Sequence, residues 1–109
     1  MAQDLIQLIP PKTATVALET QLTSGTGVKN QIHNFTATNQ STTTTATIDV
    51  HIANGSATSS NRLIYEAQVL PREALVLYQL SGKVIPSGQS LITSTSAATL
   101  TIECTGYSM

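Results

Sequence analysis

The sequence predicts an all-β fold, an antiparallel β-sandwich or jelly roll of seven or eight short strands. Three observations predict it. β-Branched residues dominate: eighteen Thr, nine Ile and six Val make 33 of the 109 residues, and such side chains lose freedom in a helix but pack well on a pleated surface. Several segments alternate apolar and polar residues with period two, as a strand with one buried face requires. Clusters of Gly, Pro, Asn and Ser recur between those segments at spacings suited to turns.

The chain opens on MAQDLIQLIPPK. Asp4 stands where a secretory signal carries basic residues, and the apolar run Leu5 to Ile9 is too short for a membrane span, so neither is expected. Pro10 and Pro11 remove two backbone donors and favour extended geometry. Residues 1–11 therefore read as an amino-terminal arm, and residues 12–109 as a single sandwich domain. Leu5, Ile6, Leu8 and Ile9 would then offer apolar surface to a neighbouring subunit or an exposed sheet edge. The alternative is that they form the first strand of the domain.

Weaker strand signals follow at residues 13–20 and 28–38. In the second, Val28 and Ile32 share a parity that Phe35 and Ala37 do not, which predicts a bulge or bend between Ile32 and Phe35. The tract Ser41 to Thr45 reads as a loop rising into a clear strand, with Ala46, Ile48, Val50 and Ile52 on one face and Thr47, Asp49 and His51 on the other. Leu63, Tyr65, Ala67 and Val69 repeat the alternation opposite Arg62, Glu66 and Gln68. The run Ala74 to Leu80 is apolar on both faces, Leu75 and Leu77 opposing Val76 and Tyr78. It is either a central strand or one whose second face meets a partner, which adds Leu75 and Leu77 to the candidate interface. Residues 90–94 give another weak strand, and Ala98, Leu100, Ile102 and Cys104 a firm last one. Turns are expected at Ser24–Gly27, Asn54–Ser56, Pro71–Arg72, Ser81–Gly82 and Pro86–Gly88, the last as a type I turn begun by Ile85. Ile48, Val50, Ile52, Leu63, Tyr65, Leu100 and Ile102 are expected to share one core.

Composition excludes more functions than it names. Charged residues make only 10% of the chain, the net charge is −1 and the five Lys and Arg are scattered, so neither a nucleic-acid nor a membrane partner is expected. The single cysteine, Cys104, cannot close an intrachain disulfide and reads as a buried small hydrophobe. His33, Asp49 and His51 are the one metal-like set, but polar residues on a solvated strand face account for them, and no metal or cofactor is expected. There is no Gly-x-Ser-x-Gly elbow and no evident carboxylate pair, and Gly25-Thr26-Gly27 lacks the lysine and helix of a phosphate loop. An enzyme is not expected. Sequons at Asn34, Asn39 and Asn54 are accidents of a chain with 29 Ser and Thr.

Longer motifs carry a resemblance. They are the opening Leu-Ile-Gln-Leu-Ile-Pro-Pro, the stretch Gly27 to Asn34 with its Ser/Thr-rich turn and the strand Thr47 to Ile52, then Asn61-Arg62-Leu63-Ile64-Tyr65, Leu70-Pro71-Arg72-Glu73 and Val84 to Ile92. In these the chain resembles small β-rich virion proteins of tailed bacteriophages, found in head decoration, neck or tail, although Gln31 and Asn34 stand where that pattern has apolar residues. The resemblance implies a non-enzymatic structural role without catalytic residues, phage capsid, neck or tail proteins as partners, and a virion location after synthesis in the host cytoplasm. Head decoration, or cement, through many repeated weak contacts is the leading expectation, with a homo-oligomer. A neck or tail component, or a carbohydrate-binding module at a tail tip, is the alternative.

Overall fold

In the computed structural model, which describes residues 4–109, two antiparallel sheets face each other. Sheet A runs in the order β1 (Ile6–Thr13), β9 (Leu100–Ser108), β3 (Asn30–Asn39), β6 (Ala74–Val76), with β7 (Val84–Ile85) also on β3. Sheet B runs β2 (Glu19–Thr23), β8 (Ser90–Thr95), β4 (Ala46–Ala53), β5 (Arg62–Val69). β6 pairs with residues 36–38 of β3 and β7 with residues 30–31. They are two halves of one strand, interrupted by a 3₁₀ turn at Tyr78–Leu80. Counted so, the described residues form eight strands, and the first pairs with the last, the second with the seventh, the third with the sixth and the fourth with the fifth. That nested pairing is a jelly roll, and it meets the expected fold class.

The core lies between the sheets. Ile9, Ile32, Phe35, Leu100 and Ile102 from sheet A meet Ile48, Val50, Val69 and Leu91 from sheet B, all essentially without solvent contact. Each end of β3 is fixed by a buried polar staple. At one end Asn30 Nδ2 donates to Ser24 Oγ at 2.8 Å, which donates to the Ile85 carbonyl at 2.8 Å. At the other, Asn39 Nδ2 donates to the carbonyls of Thr44 and Val69, while its Oδ1 accepts from the Ser41 amide. Buried amides persist only when their hydrogen bonds are made, so these staples also fix where the loops cross the ends of the sandwich.

Several sequence expectations hold. β4 buries Ala46, Ile48 and Val50 and β9 buries Leu100, Ile102 and Cys104 as the alternation requires, with Ile52 half-buried, whereas Ala98 is exposed in the turn before β9 begins; β3 shifts register between Ile32 and Asn34, inside the interval expected for the bulge. Others are corrected. Residues 6–13 are not an arm detached from the domain: they pair with β9 as the edge strand of sheet A and bury Leu8 and Ile9 in the core. Residues 1–3 of the expected arm lie outside the described residues. Pro10 and Pro11 are tolerated because an edge strand need not donate on its free side, and the register shifts across them, from Ile9 to Lys12. The strand expected at 13–20 divides, β1 ending at Thr13 and β2 starting at Glu19.

In β5 the inward residues are Ile64, Ala67 and Val69, while Leu63 and Tyr65 are exposed. The cause is a bulge. Ile48 lies opposite Ala67 but Val50 opposite Ile64, so β5 spends one residue more than β4, and Glu66 adopts φ 50° at that point. The run 74–80 is a strand only to Val76. Leu77 and Leu80, three residues apart around the 3₁₀ turn, both point into the core. The turn after β7 closes between the Pro86 carbonyl and the Gln89 amide, one residue later than expected, and places Gly88 at its third position with φ 78°, as a type II turn demands.

Candidate interaction surface

Of the six residues expected at an interface, the fold keeps only two well exposed. Leu8, Ile9 and Leu77 are buried, and Leu75 is half-buried against the core from the inner side of sheet A. These four are corrected from contact residues to core residues, because the strand pairing turns them inward. Leu5 and Ile6 are exposed, at the start of β1.

The residues beside them complete a surface. Ile6 lies opposite Gly106, so the register carries Leu5 alongside Tyr107. Tyr107 lies opposite Gln31, and Gln31 opposite Val84. One cross-strand row on the outside of sheet A thus reads Leu5, Tyr107, Gln31, Val84, with the exposed ring of His33 edge-on to Tyr107 at a centroid distance of 6.0 Å. His33 stands out at the bulge of β3. Further along the same face, Asn34 is opposite Thr105, Thr36 opposite Glu103 and Thr38 opposite Thr101. Pro11, Thr36, Thr38, Thr101 and Glu103 line a shallow groove of about 160 Å³. A wider, open cleft of about 420 Å³ lies at the end of the sandwich between Thr13, Gln40–Thr42 and Ala98–Thr99. On the paired positions of β3 and β9 this outer face carries a single charge, Glu103. It is hydroxyl-rich and weakly charged, with an aromatic and aliphatic row at one end.

The outer face of sheet B is different. His51 was expected to be solvated, but it is only 5% exposed. The loop 54–61 folds over it: Asn61 Oδ1 accepts from the Thr58 amide, and Asn61 Nδ2 donates to the Ser56 carbonyl. That leaves His51 Nδ1, 3.0 Å from Asn61 Oδ1, as the donor of their bond. Asp49 Oδ1 is taken by the Glu66 amide. His33 lies on sheet A whereas Asp49 and His51 lie on sheet B, so the metal-like set is not brought together, and no group of three metal-ligating side chains occurs among the described residues.

Cys104 is fully buried, and desolvation, with the charge of Glu103 second, pushes its thiol up to about 12. A thiol of that kind is neither nucleophile nor ligand at neutral pH, as its place in the alternation implied. Asn39, the second sequon asparagine, is spent in its buried staple. Sequence reasoning missed Val84, Tyr107 and His33 as members of one surface, since nothing local links positions that meet only through the pairing of three strands. No family model, curated protein or solved structure matches the chain.

Proposed function

We propose that this protein is a non-enzymatic structural subunit of a tailed-phage virion, a head decoration protein that docks on the shell through the outer face of sheet A. The observation that carries the reading is that face. A weakly charged, hydroxyl-rich sheet surface ending in Leu5, Tyr107 and Val84 has little to attract a polyelectrolyte but suits a wet protein interface with a small apolar anchor. On a symmetric shell such contacts repeat, and avidity turns weak single contacts into a firm hold. The sequence resemblance to small phage virion proteins points the same way, and jelly rolls recur in viral capsid domains, an analogy of fold alone.

A carbohydrate-binding role at a tail tip is less well supported. The 420 Å³ cleft is lined by Thr13, Gln40, Ser41, Thr42, Ala98 and Thr99, without an aromatic platform for a sugar ring. Co-sedimentation with heads assembled from the same genome tests the proposal. The expected result is saturable binding, weakened at least tenfold by charge placed on the face in a Thr36→Lys, Thr105→Lys variant. A folded protein that does not sediment with heads overturns it.

A further inference from the structure

Of the five asparagines in the chain, only Asn54 is followed by glycine. The other four are held by hydrogen bonds. Asn30 and Asn39 are the buried staples at the two ends of β3, and Asn34 Nδ2 donates to Thr36 Oγ1 in the same strand. The Asn61 carboxamide is engaged by Ser56, Thr58 and His51. Asn54 stands in the exposed bend after β4, and among the described residues neither its side chain nor the Gly55 amide enters a hydrogen bond. Gly55 has φ 98°, and a Cβ built on it would meet nothing within 4 Å. The main-chain nitrogen next to the Asn54 carboxamide is therefore both unpaired and unhindered.

We propose that Asn54-Gly55 is a site of spontaneous deamidation and isoaspartate formation, which places a negative charge on the loop over sheet B as the protein ages. The Gly55 nitrogen, having lost its proton to solvent base, attacks Asn54 Cγ. The N–Cγ bond forms, the Cγ–Nδ2 bond breaks, and Nδ2 leaves as ammonia with its added proton taken from water. Water then opens the five-membered imide at either carbonyl. Opening at Cγ gives aspartate, and opening at the main-chain carbonyl gives isoaspartate, with the backbone running through Cγ. The sum is amide plus water to carboxylate plus ammonium, with no change of oxidation state.

Residues 54–61 carry no charged side chain, so the new carboxylate is the first charge in that loop. Isoaspartate also lengthens the backbone by one carbon just before Ser56, whose carbonyl anchors the Asn61 carboxamide that caps His51. The cap loosens as a result. The loop covers sheet B, so the site stands whether or not sheet A docks on a phage head.

Incubation of the purified full chain at mildly alkaline pH, followed by peptide mass mapping, tests this. The peptide that contains Asn54 is expected to gain the mass difference between amide and acid as two separable products, with ammonia released in step. Its rate should exceed that of every other asparagine by about tenfold or more. Because the loop is open, the native rate should lie within about threefold of the rate in denaturant, whereas Asn30 and Asn39 should convert only on unfolding. Asn54→Gln should abolish the products, since the longer side chain closes its ring far more slowly, and Asn54→Asp should isomerise without releasing ammonia. Exchange of the Thr58 amide, which donates to Asn61 Oδ1, should quicken in the isoaspartate form. Asn54 intact in the folded protein while it converts in denaturant, another asparagine converting first, or products that persist in the Asn54→Gln variant overturn the proposal; an unchanged Thr58 amide overturns the coupling to the cap.

Discussion

Replacing Gly106 with alanine probes sheet A at its tightest point. Gly106 lies in β9 between Ile6 of β1 and Ile32 of β3, next to the register shifts of both neighbours. A Cβ there would stand 2.1 Å from the Gln31 carbonyl oxygen and 2.7 Å from Leu8 Cδ1. The leucine can turn aside, but the carbonyl cannot, because Gln31 is paired with Tyr107 on one side and Val84 on the other. β3 would have to retreat by about 1 Å to restore an ordinary contact. Overpacking of this kind costs about 1–3 kcal/mol, and a clash with paired backbone belongs at the upper end. At roughly 4–8 °C per kcal/mol for a domain near this size, the thermal midpoint should fall by about 10–20 °C. Without the clash the sign reverses, since alanine in place of glycine restricts the unfolded chain and stabilises by about 0.4–1 kcal/mol. Thermal unfolding followed by circular dichroism separates the two: a midpoint that is unchanged or raised refutes the register around Gly106.

Four further outcomes follow from the same geometry. Deleting residues 2–9 removes Leu8 and Ile9 from the core and should lower the midpoint in the same melts by at least several degrees or leave the protein insoluble. Ile102→Asp places an unpaired carboxylate at a position without solvent access and should cost several kcal/mol in a urea titration. Cys104 should resist a thiol reagent at pH 8 in the native protein and react at once in denaturant, because its thiol titrates only at about 12. The Glu19 carboxyl is held below its ordinary value of 4.5, first by the side-chain hydrogen bond from Gln21 and then, against desolvation, by Lys12. The folded state thus binds fewer protons than the unfolded one, so the contribution of Glu19 is complete above about pH 4.5 and fades as pH falls through the lowered value; Glu19→Gln should flatten that acid limb.

Much of the fold was legible because burial leaves a period in the sequence. Ile48, Val50, Leu100 and Ile102 alternate cleanly and are buried, and the parity change between Ile32 and Phe35 announced its bulge. The bulge in β5 was not legible. Leu63, Tyr65, Ala67 and Val69 form an unbroken alternation, yet Glu66 breaks it at φ 50°, and glutamate is not a residue that marks such a conformation. Leu77 and Leu80 misled for a related reason, as one 3₁₀ turn brings inward two side chains that a strand would set on opposite faces. The interface was harder still. Hydrophobicity picked out Leu8, Ile9, Leu75 and Leu77, but it does not distinguish a side chain bound for the core from one bound for a partner. The row of Leu5, Tyr107, Gln31 and Val84 exists only once β1, β9, β3 and β7 are paired.

The proposal that this jelly roll decorates a phage head meets its most direct test in purified particles from the genome that encodes it. Mass spectrometry with cryo-electron microscopy of those particles should find the chain at a copy number fixed by the symmetry of the shell, with the outer face of sheet A against the capsid. Particles that lack the chain, or that carry it with sheet A turned to solvent, would contradict the account.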